Sequence, residues 1–211
     1  MKITKYVHSC LLVETPKQTI LIDPGGYSWD SHLLPSARLD KLDYIVITHE
    51  HPDHFSEPFL RELSAKFPYA EIITNENLAK RIAAAKLPNH IVTGSQPDIE
   101  VFAVAHEPLP LDLPVPLNIG VHIEGLLTHP GDAFAISSSR DILALPVTAP
   151  WGSLKQALDA VVKIKPKTVI PVHDWHWHKA ARASMYAMSK QLLAPHGIEF
   201  IELENAVPVE L

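Results

Sequence analysis

The sequence predicts an α/β (α+β) protein in which sheets pack face to face and helices lie outside. Three observations carry this. Short apolar β-type runs recur in both halves of the 211 residues, helix-length segments are interspersed among them, and no composition shift marks a linker between the halves. One domain spanning residues 1–211 is therefore expected.

The first quarter reads as strands: Lys2–Val7, Cys10–Glu14 and Thr19–Ile22, the last stopped by Asp23-Pro24-Gly25-Gly26. Tyr44–Thr48 is a continuous β-branched apolar run, as in a strand buried on both faces. Ser56 reads as an N-cap for a helix whose Phe59, Leu60, Leu63 and Phe67 share one face. After a strand at Glu71–Thr74, the alanine-rich Asn75–Lys86 predicts a second helix, ended by Pro88. Ile91–Thr93 and Ile99–Ala105 read as strands. The segment Glu107–Leu117 carries four prolines, which predicts a stiff extended loop that is neither helix nor central strand. The β pattern resumes at Val121–Leu127, Ala133–Ser137 and Ile142–Leu145. Ser153 and Gln156 form a capping-box pattern that opens a helix through Val162. A strand at Thr168–Val172, a helix at Lys179–Leu193 and a strand at Glu199–Leu203 complete the chain. The acidic residues at the C-terminus read as a solvated edge.

Composition excludes several classes. Apolar residues make up 46% and charged residues 20%, a globular balance. The net charge of −6 argues against a broad basic face for nucleic acid. No apolar run reaches the ~20 residues of a membrane span, and the N-terminus lacks signal-peptide features, so a cytoplasmic protein without membrane insertion is expected. One cysteine, Cys10, excludes an internal disulfide and reads as a small core residue. The 13 histidines are the outlying number, because histidine is the commonest metal ligand.

Those histidines cluster. Thr48-His49-Glu50-His51-Pro52-Asp53-His54 follows the buried strand directly. In a tight loop after a strand, this spacing directs imidazoles and a carboxylate at one spot, and zinc suits such a ligand set. A histidine-rich surface loop needs neither the preceding buried strand nor the interposed aspartate.

His49-x-His51-x-Asp53-His54 after an apolar strand resembles the signature of the metallo-β-lactamase fold superfamily of metal-dependent hydrolases. Other elements recur in order along nearly the whole chain: Asp23 after Ile20–Ile22, His106 after Val101–Ala105, Asp132 in Thr128-His129-Pro130-Gly131-Asp132, and His173 after Val169–Val172. Tyr6-Val7-His8-Ser9-Cys10 followed by Leu21-Ile22-Asp23-Pro24 is similar to the compact branch that includes ascorbate-6-phosphate lactonase and N-acyl-phosphatidylethanolamine phospholipase D. The resemblance implies a four-layer αββα sandwich and two divalent metal ions. His49, His51 and His106 would hold the first ion. Asp53, His54 and His173 would hold the second, and Asp132 would bridge both. Zinc is the expected metal, and the mixed ligands also suit manganese, iron or nickel. A hydroxide shared by two ions would be the nucleophile, with Asp53 as the catalytic carboxylate that orients it or passes a proton to the leaving group.

Around these ligands stand residues with weaker signals. Asp23 is expected to support the ligand loop from behind, against the simpler reading of a turn aspartate before proline. His8 sits where the branch has a histidine near the site; the alternative is an ordinary strand-end residue. His129 orients Asp132, faces the pocket, or is a plain loop position. His176, within Asp174-Trp175-His176-Trp177-His178, lines a substrate pocket, or its segment packs the last helix onto the sheet. The proline loop 107–117 is a lid over the metals or a rigid connector.

Departures from related branches narrow the chemistry. His51 is not acidic, which disfavours a diiron oxygen-reducing enzyme. Asp132 stands where a zinc β-lactamase has cysteine. Phe55-Ser56-Glu57 lacks the glycine pair associated with glyoxalase II. The 211 residues leave no room for the extra domain of the mRNA-processing nucleases and contain no clear exosite arm of the tRNA-processing kind, so neither branch is expected. The expectation is a metal-dependent hydrolase acting on an ester, lactone or phosphodiester in a small-molecule substrate. The alternatives are an iron-dependent oxidoreductase on the same fold and a non-catalytic metal-binding protein. The oligomeric state has no signature in the sequence.

Overall fold

Parallel strands need long crossovers, and the helical segments of this chain fall where such crossovers are required. The computed structural model describes residues 1–211, which divide into two compact units: residues 1–94 with 203–211, and residues 95–202.

In the first unit, β1 (Lys2–Lys5), β2 (Leu11–Glu14) and β3 (Thr19–Ile22) form an antiparallel meander. From β3 the sheet continues in parallel through β4 (Tyr44–Ile47), β5 (Glu71–Thr74) and β6 (Ile91–Val92). The connections carry α1 (Gly26–Ser31), α2 (Glu57–Lys66) and α3 (Glu76–Ala84). Ser56 caps α2 by accepting from the Phe59 amide, and Asn75 caps α3 by accepting from Asn77 and Leu78. Alternate strand residues Leu12, Leu21, Ile45, Ile47 and Ile72 pack with Phe59, Leu60, Leu63, Leu78 and Ile82 from the helices in one apolar cluster. The opposite set, Ile3, Leu11, Val13, Ile20, Ile22, Val46 and Ile73, is also buried, so the sheet is covered on both faces. This explains the continuous apolar runs.

In the second unit, β7 (Ile99–Ala103), β8 (Ile119–Ile123) and β9 (Leu127–His129) are antiparallel. β10 (Ile142–Pro146), β11 (Thr168–Val172) and β12 (Glu199–Phe200) extend the sheet in parallel from β9. α4 (Leu154–Ile164) and α5 (Lys179–Leu193) cover it through Leu158, Val161, Tyr186 and Leu193. The capping box of Ser153 and Gln156 forms as expected.

Five expectations need correction. Val121–Leu127 is not one strand, because Glu124 (φ 48) and Gly125 (φ 64) make a tight hairpin turn between β8 and β9. Ala133–Ser137 forms no strand; Phe134 and Ile136 pack against the apolar cluster under α4 instead. The proline loop 107–117 is extended except for a 3-10 turn at Pro110–Asp112. Gly26 does more than end a turn, since α1 begins there. The C-terminal segment is not merely a solvated edge: β13 (Pro208–Glu210) pairs antiparallel with β1.

No helix is long and apolar enough to cross a membrane. Cys10 is fully buried in the first unit, and desolvation pushes its thiol up to about 12. Since the thiolate is the reactive form, iodoacetamide at pH 8 is expected to leave Cys10 unmodified in the native protein and to alkylate it once the chain is unfolded in guanidinium. Mass spectrometry reads the result directly. Rapid native labelling would contradict the buried placement.

Candidate metal centre

In parallel sheets, ligand-handling residues gather beyond the carboxyl ends of the strands, where the chain turns from strand to loop. That is where both units carry the histidines of the candidate ligand set.

In the first unit, β3 ends at Asp23 and β4 at Thr48. Asp23 is fully buried, with φ of 47 in the left-handed region. Its Oδ1 accepts from the Thr48 amide at 2.8 Å. Its Oδ2 accepts from the Thr48 hydroxyl at 2.9 Å and from His54 Nδ1 at 2.7 Å. With its proton given to Asp23, the Thr48 hydroxyl accepts from His49 Nδ1 at 3.0 Å. One carboxylate thus fixes the tautomer of His54 directly and that of His49 through Thr48, so both rings carry their proton on Nδ1. Gly25 permits the close approach of the neighbouring loop: a Cβ there would lie 1.8 Å from the Asp53 carbonyl oxygen.

His49 Nε2 and His51 Nδ1 are 3.1 Å apart. His8 Nε2 is 3.1 Å from Asp53 Oδ2, and the ligand atoms of His8, Asp53 and His54 all lie within 4.8 Å of one another. His8 is buried, with φ of 58, and its ring stands edge-on to Tyr27 of α1. Burial first, and the Asp53 charge second, push the Tyr27 phenol above its ordinary value.

In the second unit, His106 follows β7, Asp132 follows β9 and His173 follows β11, and all three are buried. His106 Nδ1 donates to the Glu107 carbonyl and His173 Nδ1 to the Thr148 carbonyl, each at 2.6 Å. The Nε2 atoms then lie 3.5 and 3.4 Å from the same oxygen, Asp132 Oδ2. The Trp151 ring stands edge-on to both imidazoles and packs against Phe134. The Asp132 loop is held by Asn118, whose Nδ2 donates to the Pro130 carbonyl at 3.0 Å and whose Oδ1 accepts from the Asp132 amide at 3.3 Å. His129 Nδ1 accepts from the Gly131 amide at 3.2 Å.

This donor set suits divalent ions. A carbonyl can only accept, so His106 and His173 carry their protons on Nδ1, and in neutral rings Nε2 is a lone pair. Two lone pairs facing one carboxylate oxygen repel unless positive charge lies among them. Two ligands of a tetrahedral zinc at ~2.0–2.1 Å are themselves about 3.4 Å apart. The spacings of 3.1, 3.4 and 3.5 Å match that requirement.

Of the sequence-selected residues, the first unit brings together His8, Asp23, His49, His51, Asp53 and His54, and the second His106, His129, Asp132 and His173. His176 is exposed, its ring 6.3 Å from that of His173. Within its segment, Trp177 packs against the core under α5, while Trp175 is half exposed. Four contributors went unnoticed in the sequence: Thr48, Asn118, Trp151 and Asp174. Only Thr48 had a local signal, as the residue linking the apolar strand to the first histidine.

Residues 2–173 match the beta-lactamase superfamily domain. The chain belongs to that superfamily. A UPF0173 protein of Pyrococcus furiosus, PF0020, is 31% identical over 82% of this chain and 83% of its own. A UPF0173 metal-dependent hydrolase of Anaeromyxobacter sp. strain K is 28% identical over 82% of this chain and 74% of its own. Among solved structures, Igni18, described as a novel metallo hydrolase of Ignicoccus hospitalis, superposes with a TM-score of 0.72 at 20% identity, covering 100% of this chain and 98% of that one. The two sheets and five helices are those of the metallo-β-lactamase fold. Within this superfamily, the chain is a metal-dependent hydrolase.

Gly131 (φ 61) tests the hold of Asn118 on the Asp132 loop, because a Cβ there would lie 2.1 Å from Asn118 Oδ1. Gly125 (φ 64) has open space around it. Both alanine variants pay a left-handed penalty of ~1–2 kcal/mol. Only Gly131→Ala is expected to lose bound metal by elemental analysis. Equal metal contents in the two variants would contradict the role given to the Asn118 clamp.

Proposed function

We propose that the chain, acting as one domain over residues 1–211, is a dinuclear metal-dependent hydrolase of an ester, lactone or phosphodiester in a small substrate. The observation that carries this reading is the approach of the His106 and His173 Nε2 lone pairs to one oxygen of buried Asp132. In this reading His49, His51 and His106 would hold one ion and Asp53, His54 and His173 the other, with Asp132 shared between them. Two bound divalent ions, zinc in the first instance, supply a hydroxide nucleophile at neutral pH and stabilise the charge that develops on the oxygens of the scissile group.

The remaining chemistry belongs to the chain. Asp23 and the Glu107 and Thr148 carbonyls hold the ligand rings in the tautomer that offers Nε2. Asp53 differs from Asp132 in access: its side chain is 21% exposed against 1%. It is therefore the carboxylate that can pass a proton to a leaving group at Oδ2, where His8 Nε2 already lies at hydrogen-bond distance. Trp151 walls off one side of His106 and His173 and limits water there. A small-molecule substrate accords with the net charge of −6, which offers no broad attraction for nucleic acid.

Two measurements test this reading. Protein purified without a metal-binding tag is expected to contain about two zinc or manganese ions per chain by elemental analysis. It should also hydrolyse members of a panel of lactones and bis(p-nitrophenyl) phosphate. Asp132→Ala should lower turnover by about 10³-fold or more, with the far-ultraviolet circular dichroism retained. Full activity in that variant, or no metal uptake from excess zinc and manganese, would refute the dinuclear assignment. Firmly bound iron with oxygen consumption would replace hydrolysis by redox chemistry.

A further inference from the structure

His173 is held in a conformation its backbone does not prefer. It has φ of 61, a left-handed geometry that a branched-ring residue adopts at a cost of ~1–2 kcal/mol. The Thr148 carbonyl fixes the orientation of its ring. Something else must keep the main chain from relaxing after β11.

The next residue supplies that anchor. Asp174 is buried to the same degree as His173, in a place where an ionised carboxylate is costly without partners. Its Oδ2 accepts from the Tyr186 hydroxyl at 2.5 Å and from Arg182 Nη1 at 3.4 Å. Both donors lie on α5, four residues apart and therefore on one face. The Asp174 carbonyl also accepts from the Trp177 amide, closing the turn that leads into α5. Tyr186 cannot swing away, because it is buried against Phe200 and Trp177. A rigid helix thus grips the side chain adjacent to a strained ligand.

We propose that Tyr186 and Arg182, acting through Asp174, position His173 for the second metal ion. They are positioning residues: neither touches the ligand ring, and their effect travels through one peptide unit. The proposal rests on the metal assignment made above. It adds that the affinity of one ion, and not the other, depends on α5.

Cobalt(II) titration of metal-stripped, tagless full-length protein, followed by visible absorption, separates these statements. Wild type is expected to take up two equivalents. Tyr186→Phe keeps the ring and its packing but removes the hydroxyl. It should bind one equivalent as wild type does and weaken the other by about 10–100-fold, the range seen when a partner behind a metal ligand is lost. Arg182→Gln should weaken the same equivalent less, since its contact is longer and partly exposed. Leu158→Ala removes packing from the same apolar cluster on α4 instead of α5, so it should lower the thermal midpoint and leave both equivalents unchanged. The proposal is overturned if Tyr186→Phe binds both equivalents like wild type. It is equally overturned if Leu158→Ala weakens the same equivalent as much as Tyr186→Phe does. Failure of wild type to take up cobalt would overturn the metal assignment together with it, and so is distinguishable from failure of the positioning role alone.

Discussion

The Asp23 carboxylate accepts three hydrogen bonds while fully buried: from the Thr48 amide, the Thr48 hydroxyl and His54 Nδ1. Both of its oxygens are satisfied by these donors. It also ties the end of β3 to the end of β4 at the point where both strands stop pairing. Without it, the loop carrying His49, His51, Asp53 and His54 would have no fixed start, and two of its rings would have no fixed tautomer. The order of dependence therefore runs from a strand-end aspartate to a threonine, then to the imidazoles, and only then to any ion.

The second unit reaches the same end by a different device. Where the first unit spends a carboxylate on Nδ1, the second spends main-chain carbonyls, those of Glu107 and Thr148. The difference matters for charge. A carboxylate behind an imidazole raises the ligand's basicity more than a neutral carbonyl does. His54 is thus oriented by a charged partner, and His106 and His173 by neutral main-chain carbonyls. Asp132 sits beside that pair. Trp151, edge-on to both rings, keeps that cluster in a surrounding of low polarity where the charge counts most.

What the sequence revealed follows the range of the interactions. The ligand loop was legible because its residues are six apart at most and follow a strand whose apolar run is unmistakable. β11 and α5 have the boundaries expected of them, Thr168–Val172 and Lys179–Leu193, because each is a long, uninterrupted pattern. The β8–β9 hairpin was missed because Glu124 and Gly125 interrupt an apolar run by only two residues, and Glu124 is not a usual left-handed residue. β13 was missed because its pairing partner, β1, lies at the other end of the chain, so three residues gain strand character from sheet contacts alone. Asn118, Trp151 and the Asp174–Tyr186 contact share that property. Their contacts span 12 to 45 residues, and no spacing rule signals such a partner.

The same residues that hold the ligands also carry unfavourable backbone geometry. Val7, His8, Asp23 and His173 are all left-handed without being glycine, and Val7 is β-branched, which makes its φ of 70 the most costly of the four. At ~1–3 kcal/mol each, such strain is a sizeable fraction of the net stability of a domain. A neutral drift toward stability would remove it by substituting glycine or by relaxing the turns. At the strand ends that carry His8, Asp23 and His173 it sets the side-chain directions that the ligand cluster uses. A left-handed residue at a strand terminus turns the chain sharply and directs the following segment back across the sheet end. Extended or right-handed backbone at Asp23 would carry its carboxylate away from Thr48 and His54 and undo the dependence on which the ligand loop is built.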